Sequence, residues 1–340
     1  MEIIREYLQN ILITERIAGM SVAITDKNKI IFAEGFGVES IERPDVLVTP
    51  ESLFRIASIT KIVTGMTILS LVEEGTLSLY APIKQVLPWL TLKNKHTEEY
   101  VTLAHLLSHT SGFPAEYTPD GPYDESALEQ SLRAALPQLD MEFPLGKGYV
   151  YSNWGIRIAS LVAEKVSGRK FSQLATERIL VPLGMHRTTF DLHIAATYPV
   201  SLGHIEENGV YKVFHKLQEN AARYAAGGLF SNSVDLCCLA RCLLNEGFGD
   251  NGKRILQNSS IEEMKRARGQ TLTSAAYGIT LFQDHYKDKM IYYHPGSAPP
   301  YATSLLIHPD SGLGIVTLMN TQRNHLRRKI PETILDMLIK

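Results

Sequence analysis

SLFRIASITKIVTGMTILSLVEEG, residues Ser52 to Gly75, decides how the chain is read. Ile59, Ile62, Val63, Met66, Leu69 and Val72 recur at helical spacing, and Gly75 marks the stop. Ile68 and Leu71 fill the remaining faces, and a helix apolar nearly all round is a buried one. Ser58 falls at its N-terminal end, where unpaired N–H groups and the helix dipole stabilise developing negative charge. Lys61 follows at i+3, within reach of Ser58 on the same face. An ammonium drawn out of water beside a hydroxyl is one way to activate a weak nucleophile. The tetrapeptide alone does not decide this, because Ser167 to Lys170 (SGRK) repeats the S-x-x-K pattern. An N-capping serine with a surface lysine is the competing reading.

The bulk numbers describe an ordinary globular chain: 340 residues, 44% hydrophobic, 21% charged, formal net charge −2. They favour neither a nucleic-acid nor a membrane partner. In the first twenty residues Ile3, Ile4, Tyr7, Leu8 and Ile11 lie at helical spacing interrupted by charge, which predicts an amphipathic helix and no signal peptide. No apolar run is long enough to span a bilayer. Cys237, Cys238 and Cys242 cluster on one predicted helix and read as reduced core thiols rather than a disulfide framework. A cytoplasmic location is the resulting expectation.

Along the chain, Gly19 to Thr25 and Lys29 to Gly37 predict a β-hairpin. Strong β signals return only in Tyr277–Gln283, Met290–His294, Ala302–His308 and Leu313–Asn320, before a closing helix from Leu326. Between them the pattern is mostly helical, with Pro- and Gly-rich joints such as Pro114 to Pro122. The expected fold is α+β: one antiparallel sheet built from both chain ends, flanked by helices, with a mostly helical insert. The expected domains are 1–57 with 222–340, and 58–221, with the pocket in the cleft between them.

Two further stretches carry possible chemistry. Tyr151-Ser152-Asn153 leads into a helical run; the tyrosine serves as a base near neutrality only if a cation such as Lys61 depresses its pKa of ~10. Asn153 offers a paired donor and acceptor to the lysine or to a substrate amide. His294-Pro295-Gly296-Ser297 ends a predicted strand, and its proline argues for an open edge. The N–H of Ser297 then faces that edge and, with the N–H of Ser58, suits an oxyanion hole, while Gly296 allows close approach of substrate to the backbone. His105 and His109, at i,i+4, have no accompanying glutamate or third ligand and read as buried or capping residues. Gly35-Phe36-Gly37 and Gly227-Gly228 lack phosphate-loop spacing. No metal or cofactor is expected.

S-x-x-K, Y-x-N and H-x-G in this order resemble the penicillin-recognising serine hydrolases, most of all the branch of class C β-lactamases, D-Ala-D-Ala carboxypeptidases, D-aminopeptidases and related carboxylesterases. The segments Leu103–Pro114, Phe143–Gly155, Val181–Phe190 and Ala225–Leu236 resemble that family too. The resemblance implies Ser58 as acylated nucleophile, Lys61 as its activating partner and Tyr151 as base and then acid for the leaving group. It also implies Asn153 as a ligand of Lys61 and substrate, and the Ser58 and Ser297 N–H groups as the oxyanion hole. The chain departs from the β-lactamases where they carry a lysine in K-T-G: here His294 stands, with a reference pKa of ~6.5. That favours esters, D-amino-acid amides or acyl transfer over β-lactams, and predicts binding of substrate carboxylates that weakens as pH rises. The expected activity is hydrolysis of a small ester, amide or peptide through acyl-Ser58; an acyltransferase and a non-turnover penicillin-binding sensor are the alternatives. Substrate choice is expected to rest on the loops Phe113–Asp124 and Pro299–Tyr301.

Overall fold

A computed structural model of the chain describes residues 1–94, 96–115, 124, 126–215 and 220–339. Its largest element is a nine-stranded antiparallel sheet. The N-terminal part supplies β1 (Gly19–Thr25), β2 (Ile30–Ser40) and β3 (Arg43–Leu47). Two short strands, β4 (Phe54–Arg55) and β7 (Phe230–Ser231), pair with each other, and β5 (Gly203–Glu207) and β6 (Val210–Phe214) form a separate hairpin. The C-terminal part supplies β8 (Gly269–Gln270), β9 (Ala276–Tyr277), β10 (Phe282–Tyr286), β11 (Lys289–Ala298), β12 (Tyr301–His308) and β13 (Leu313–Met319). The order is β3-β2-β1-β13-β12-β11-β10-β9-β8, so the two chain ends meet at the β1–β13 ladder, Met20 opposite Met319.

Both faces of the sheet are covered, and the period of two along each strand sorts the side chains between them. On β13, Ile315 and Met319 pack with α1 (Glu2–Thr14) and the closing helix Leu326–Leu338, while Val316 and Leu318 pack into the larger core on the other side. That larger core is entered by α2 (Thr60–Glu73), in which every residue from Thr60 to Leu69 is buried. Gly75, at φ +74°, ends it. The helix with the three cysteines, Ser233–Leu244, lies against β1, β12 and β13; its thiols are free, and burial pushes their pKa values up. Among the described residues no helix is long and apolar enough to cross a membrane.

The structure departs from the sequence reading in its strands as well as in the site. Tyr277–Gln283 is not one strand: residues 278–281 turn inward between β9 and β10, with the Ile279 and Thr280 N–H groups donating to Met264 and Leu107 carbonyls. This bend seats Thr280 against Gly65 of α2, where a Cβ on the glycine would lie 2.2 Å from the threonine Oγ1. Met290–His294 is only the first half of β11, which runs on through Pro295 to Ala298. The helical stretch also contains the β5–β6 hairpin, whose alternating residues carry more charge than a core strand. The Pro114–Pro122 joint and most of Phe113–Asp124 lie outside the described residues.

Candidate active site

Ser58 sits in a single helical turn, Ala57–Ile59, that leads from β4 into α2. The turn is sharp: Ala57 has φ +51°, a conformation that L-residues adopt at a cost and that needs support from its surroundings. Support comes from both sides. The Ile56 N–H donates to Leu229 O at 3.0 Å, and Thr303 Oγ1 of β12 donates to Ile56 O at 2.9 Å. Gly296 of β11 completes the seat, since a Cβ there would lie 2.5 Å from Ile56 O and 2.1 Å from Thr303 Oγ1. The missing side chain therefore lets the nucleophile turn, not a substrate, approach the strand, which corrects the expected role of Gly296.

Lys61, one turn after Ser58 at the start of α2, is fully buried. Its Nζ donates to Ser58 Oγ at 3.0 Å and to Ala226 O at 2.6 Å, and lies 4.9 Å from the centre of the Tyr151 ring. The second S-x-x-K has no such setting: Ser167 ends the helix Asn153–Ser167 and its hydroxyl donates to Ala163 O at 2.7 Å. Tyr151 is placed by what precedes that helix. The Ser152 N–H donates to His109 Nδ1 at 3.2 Å, and the His109 ring packs against Tyr151 at 4.4 Å. His109 is not on a helix with His105. The helix ends at Leu107, His109 takes φ +60°, and His105 caps the helix start with Thr102.

His294 requires the main correction. It is fully buried, and the cavity beside Ser58 is lined without it. Its Nδ1 lies 2.8 Å from Pro295 O, an acceptor only, so Nδ1 carries the proton. Nε2 then accepts from the Tyr277 hydroxyl at 3.0 Å, and burial keeps that phenol protonated. Burial first, then the nearby Lys61 charge, pushes the His294 pKa down to about 3, so it is a neutral support and not a titrating anion site. An unfolded chain binds a proton near pH 6.5 that the folded one refuses. Stability therefore falls as pH drops through 6.5, approaching about 1.4 kcal/mol per unit for this group below pH 5.5. Urea unfolding between pH 4.5 and 5.5 is expected to show His294→Gln losing close to one proton of that slope; an unchanged slope would show that His294 binds a proton as readily in the fold as in the unfolded chain.

β10 pairs with β11 only as far as Phe282–Tyr293, so residues 294–298 have β12 on one side and an edge free of β10 on the other. The missing donor of Pro295 is harmless on the free side, and Ser297, two residues on, faces the same way. Ser58, Asn153, Ser297, Ala298 and Pro299 line one cavity of about 260 Å³, so Ser297 and Asn153 are brought to the nucleophile. Larger surface hollows, such as the one lined by Glu129, Arg133 and Lys165, hold none of these residues. Sequence reading missed the cavity's three arginines, Arg55, Arg157 and Arg223. Two had a local signal: Arg55 precedes Ser58 by three, and Arg157 lies one helical turn after Asn153. Arg223 had none.

A buried lysine on a serine hydroxyl, a tyrosine ring beside the lysine and free-edge backbone together suit attack on a carbonyl carbon. The profile of the Beta-lactamase family matches residues 2–337. Protein flp of Staphylococcus aureus (strain MW2) is 24% identical over 315 residues, which are 92% of this chain and 62% of that protein. The chain thus spans about three fifths of that relative's length. Penicillin-binding protein 4 of Amycolatopsis lactamdurans is 26% identical over 81% of this chain and 74% of its own. The octameric penicillin-binding protein homologue from Pyrococcus abyssi superposes with a TM-score of 0.86 at 26% identity, covering 99% of this chain and 76% of that one. A D-stereospecific amidohydrolase from a Streptomyces species shares the fold, with a TM-score of 0.74, 24% identity and 94% of each chain covered.

Proposed function

Because the chain belongs to the Beta-lactamase family, we propose that it is a serine hydrolase that opens an ester or peptide-like amide through an acyl-Ser58 intermediate. The observation that carries this reading is the 3.0 Å hydrogen bond from buried Lys61 to Ser58 Oγ, made on a turn held by β11 and β12. Ser58 Oγ attacks the carbonyl carbon, and its proton passes to the Lys61–Tyr151 pair, whose sharing of it is one coupled titration. The oxyanion is held by the N–H groups of Ser58 and Ser297. As the bond to the leaving oxygen or nitrogen breaks, Tyr151 returns the proton to it. Water then enters, loses a proton to the same pair, and releases the acid and Ser58. Asn153 orients the acyl half, and neutral His294 holds the strand that carries Ser297.

The missing permanent cation at position 294 favours esters and D-amino-acid amides over β-lactams, and weak β-lactam opening fits the same machinery. Product analysis with 4-nitrophenyl acetate tests the reading, with and without added methanol. Free acetate released over many turnovers is expected. Transfer to methanol alone would favour an acyltransferase, and a stoichiometric adduct without turnover would favour a binding protein.

A further inference from the structure

The cavity beside Ser58 is unusual in its charge. Arg55, Arg157 and Arg223 line it together, and no aspartate or glutamate does among the described residues. Arg157 is almost fully buried, with its guanidinium carbon 5.1 Å from the Trp154 ring centre. Arg55 and Arg223 are partly exposed, yet the Nε of each is buried and has no hydrogen-bond partner. Neither forms an ion pair among the described residues, although ion pairs are common elsewhere on this protein. Two guanidinium groups, each with a buried donor left unmet, beside a cavity with no acid among the described residues, favour an anion from outside.

The position of the cavity says which half of a substrate brings that anion. Tyr151, which hands the proton to the leaving group, does not line it, whereas Ser58, Asn153 and Ala298 do. The leaving group must lie beside its acid, so the cavity is left for the acyl half. On the serine-hydrolase reading above, we infer that Arg55 and Arg223 select a short acyl group bearing a carboxylate, which stays on Ser58 after the leaving group departs. The volume of about 260 Å³ limits that group to a few carbons beyond the carbonyl. The planar fork of each arginine suits a carboxylate, and no acid among the described lining residues repels one.

Three 4-nitrophenyl esters of matched length test this: the succinyl monoester, the butyryl ester and the β-alanyl ester, which end in a carboxylate, a methyl and an ammonium. The expected order of kcat/KM is succinyl, butyryl, β-alanyl, with the first two about tenfold or more apart. Arg55→Gln and Arg223→Gln each lower the succinyl-to-butyryl ratio about tenfold, and Arg223→Glu raises β-alanyl over succinyl. Equal values for the three esters in the wild type, or ratios that neither glutamine variant moves, would overturn the inference while leaving the hydrolase reading intact. Succinate binding by calorimetry is a readout independent of turnover. Binding that is lost in Arg55→Gln/Arg223→Gln supports the cavity's preference even if no ester is cleaved, and absence of binding by the wild type overturns it.

Discussion

Replacing Ser58 by alanine lowers kcat/KM for an activated ester by about 10⁴-fold or more, and Lys61→Met comes close to the same loss. Residues that act as one unit are not additive, so the double variant is expected to be little worse than either single one. The lysine makes this a sharp test. Its ammonium is withdrawn from water, its contacts including the Ser58 hydroxyl and the Ala226 carbonyl, and taking a charge out of water costs stability. Methionine fills nearly the same volume without the charge, so the variant keeps or raises its melting temperature while activity collapses. Loss of activity with the fold retained is what separates a chemical role from a structural one. A Lys61→Met protein within tenfold of the wild type would show that Ser58 is activated by something else.

Tyr151→Phe removes one oxygen and leaves the ring packed on His109 at 4.4 Å and beside Lys61 at 4.9 Å. The expected loss depends on the leaving group. A simple alkyl ester or an amide needs a proton as its bond breaks and loses about 10²- to 10⁴-fold, the usual worth of a positioned acid or base. Nitrophenolate leaves without help, so a 4-nitrophenyl ester keeps more of its rate. Comparison of kcat for the two substrate types in the variant checks this. Equal losses would confine Tyr151 to activating Ser58, and no loss with either would remove it from the mechanism.

The sheet from both ends of the chain was legible because β1 and β13 are continuous apolar runs, and the nucleophile helix because Thr60–Glu73 is apolar on all sides. Ser58 and Lys61 were legible because their contact is local, three residues on one helical face. What sequence could not supply is what crosses the fold. His294 sits in H-P-G at a position that reads as solvent-facing, and only the packing of Tyr277 and the Lys61 charge around it make it a buried neutral group. Gly296 reads as room for a ligand until Ile56 and Thr303 are seen to occupy that room. Tyr277–Gln283 reads as one strand because its local pattern does not reveal that Leu107 and Met264 capture its donors. The arginines stand at 55, 157 and 223, separated by about a hundred and by sixty-six residues, and each alone is an ordinary polar residue. Their shared sign becomes visible only when β4, the helix after Tyr151 and the 221–223 turn close around one cavity.

The central claim is that an acyl group passes through Ser58, and rapid-quench intact-mass measurement during turnover of an activated ester addresses it directly. The predicted result is a mass increase equal to the acyl group. It maps to the peptide containing Ser58, rises within the first turnover, decays once substrate is spent, and is absent from Ser58→Ala. An adduct that persists in Ser58→Ala, or that maps to Ser167 in the second S-x-x-K, would contradict the account, as would multiple turnover with no adduct at Ser58 under conditions where deacylation is the slow step.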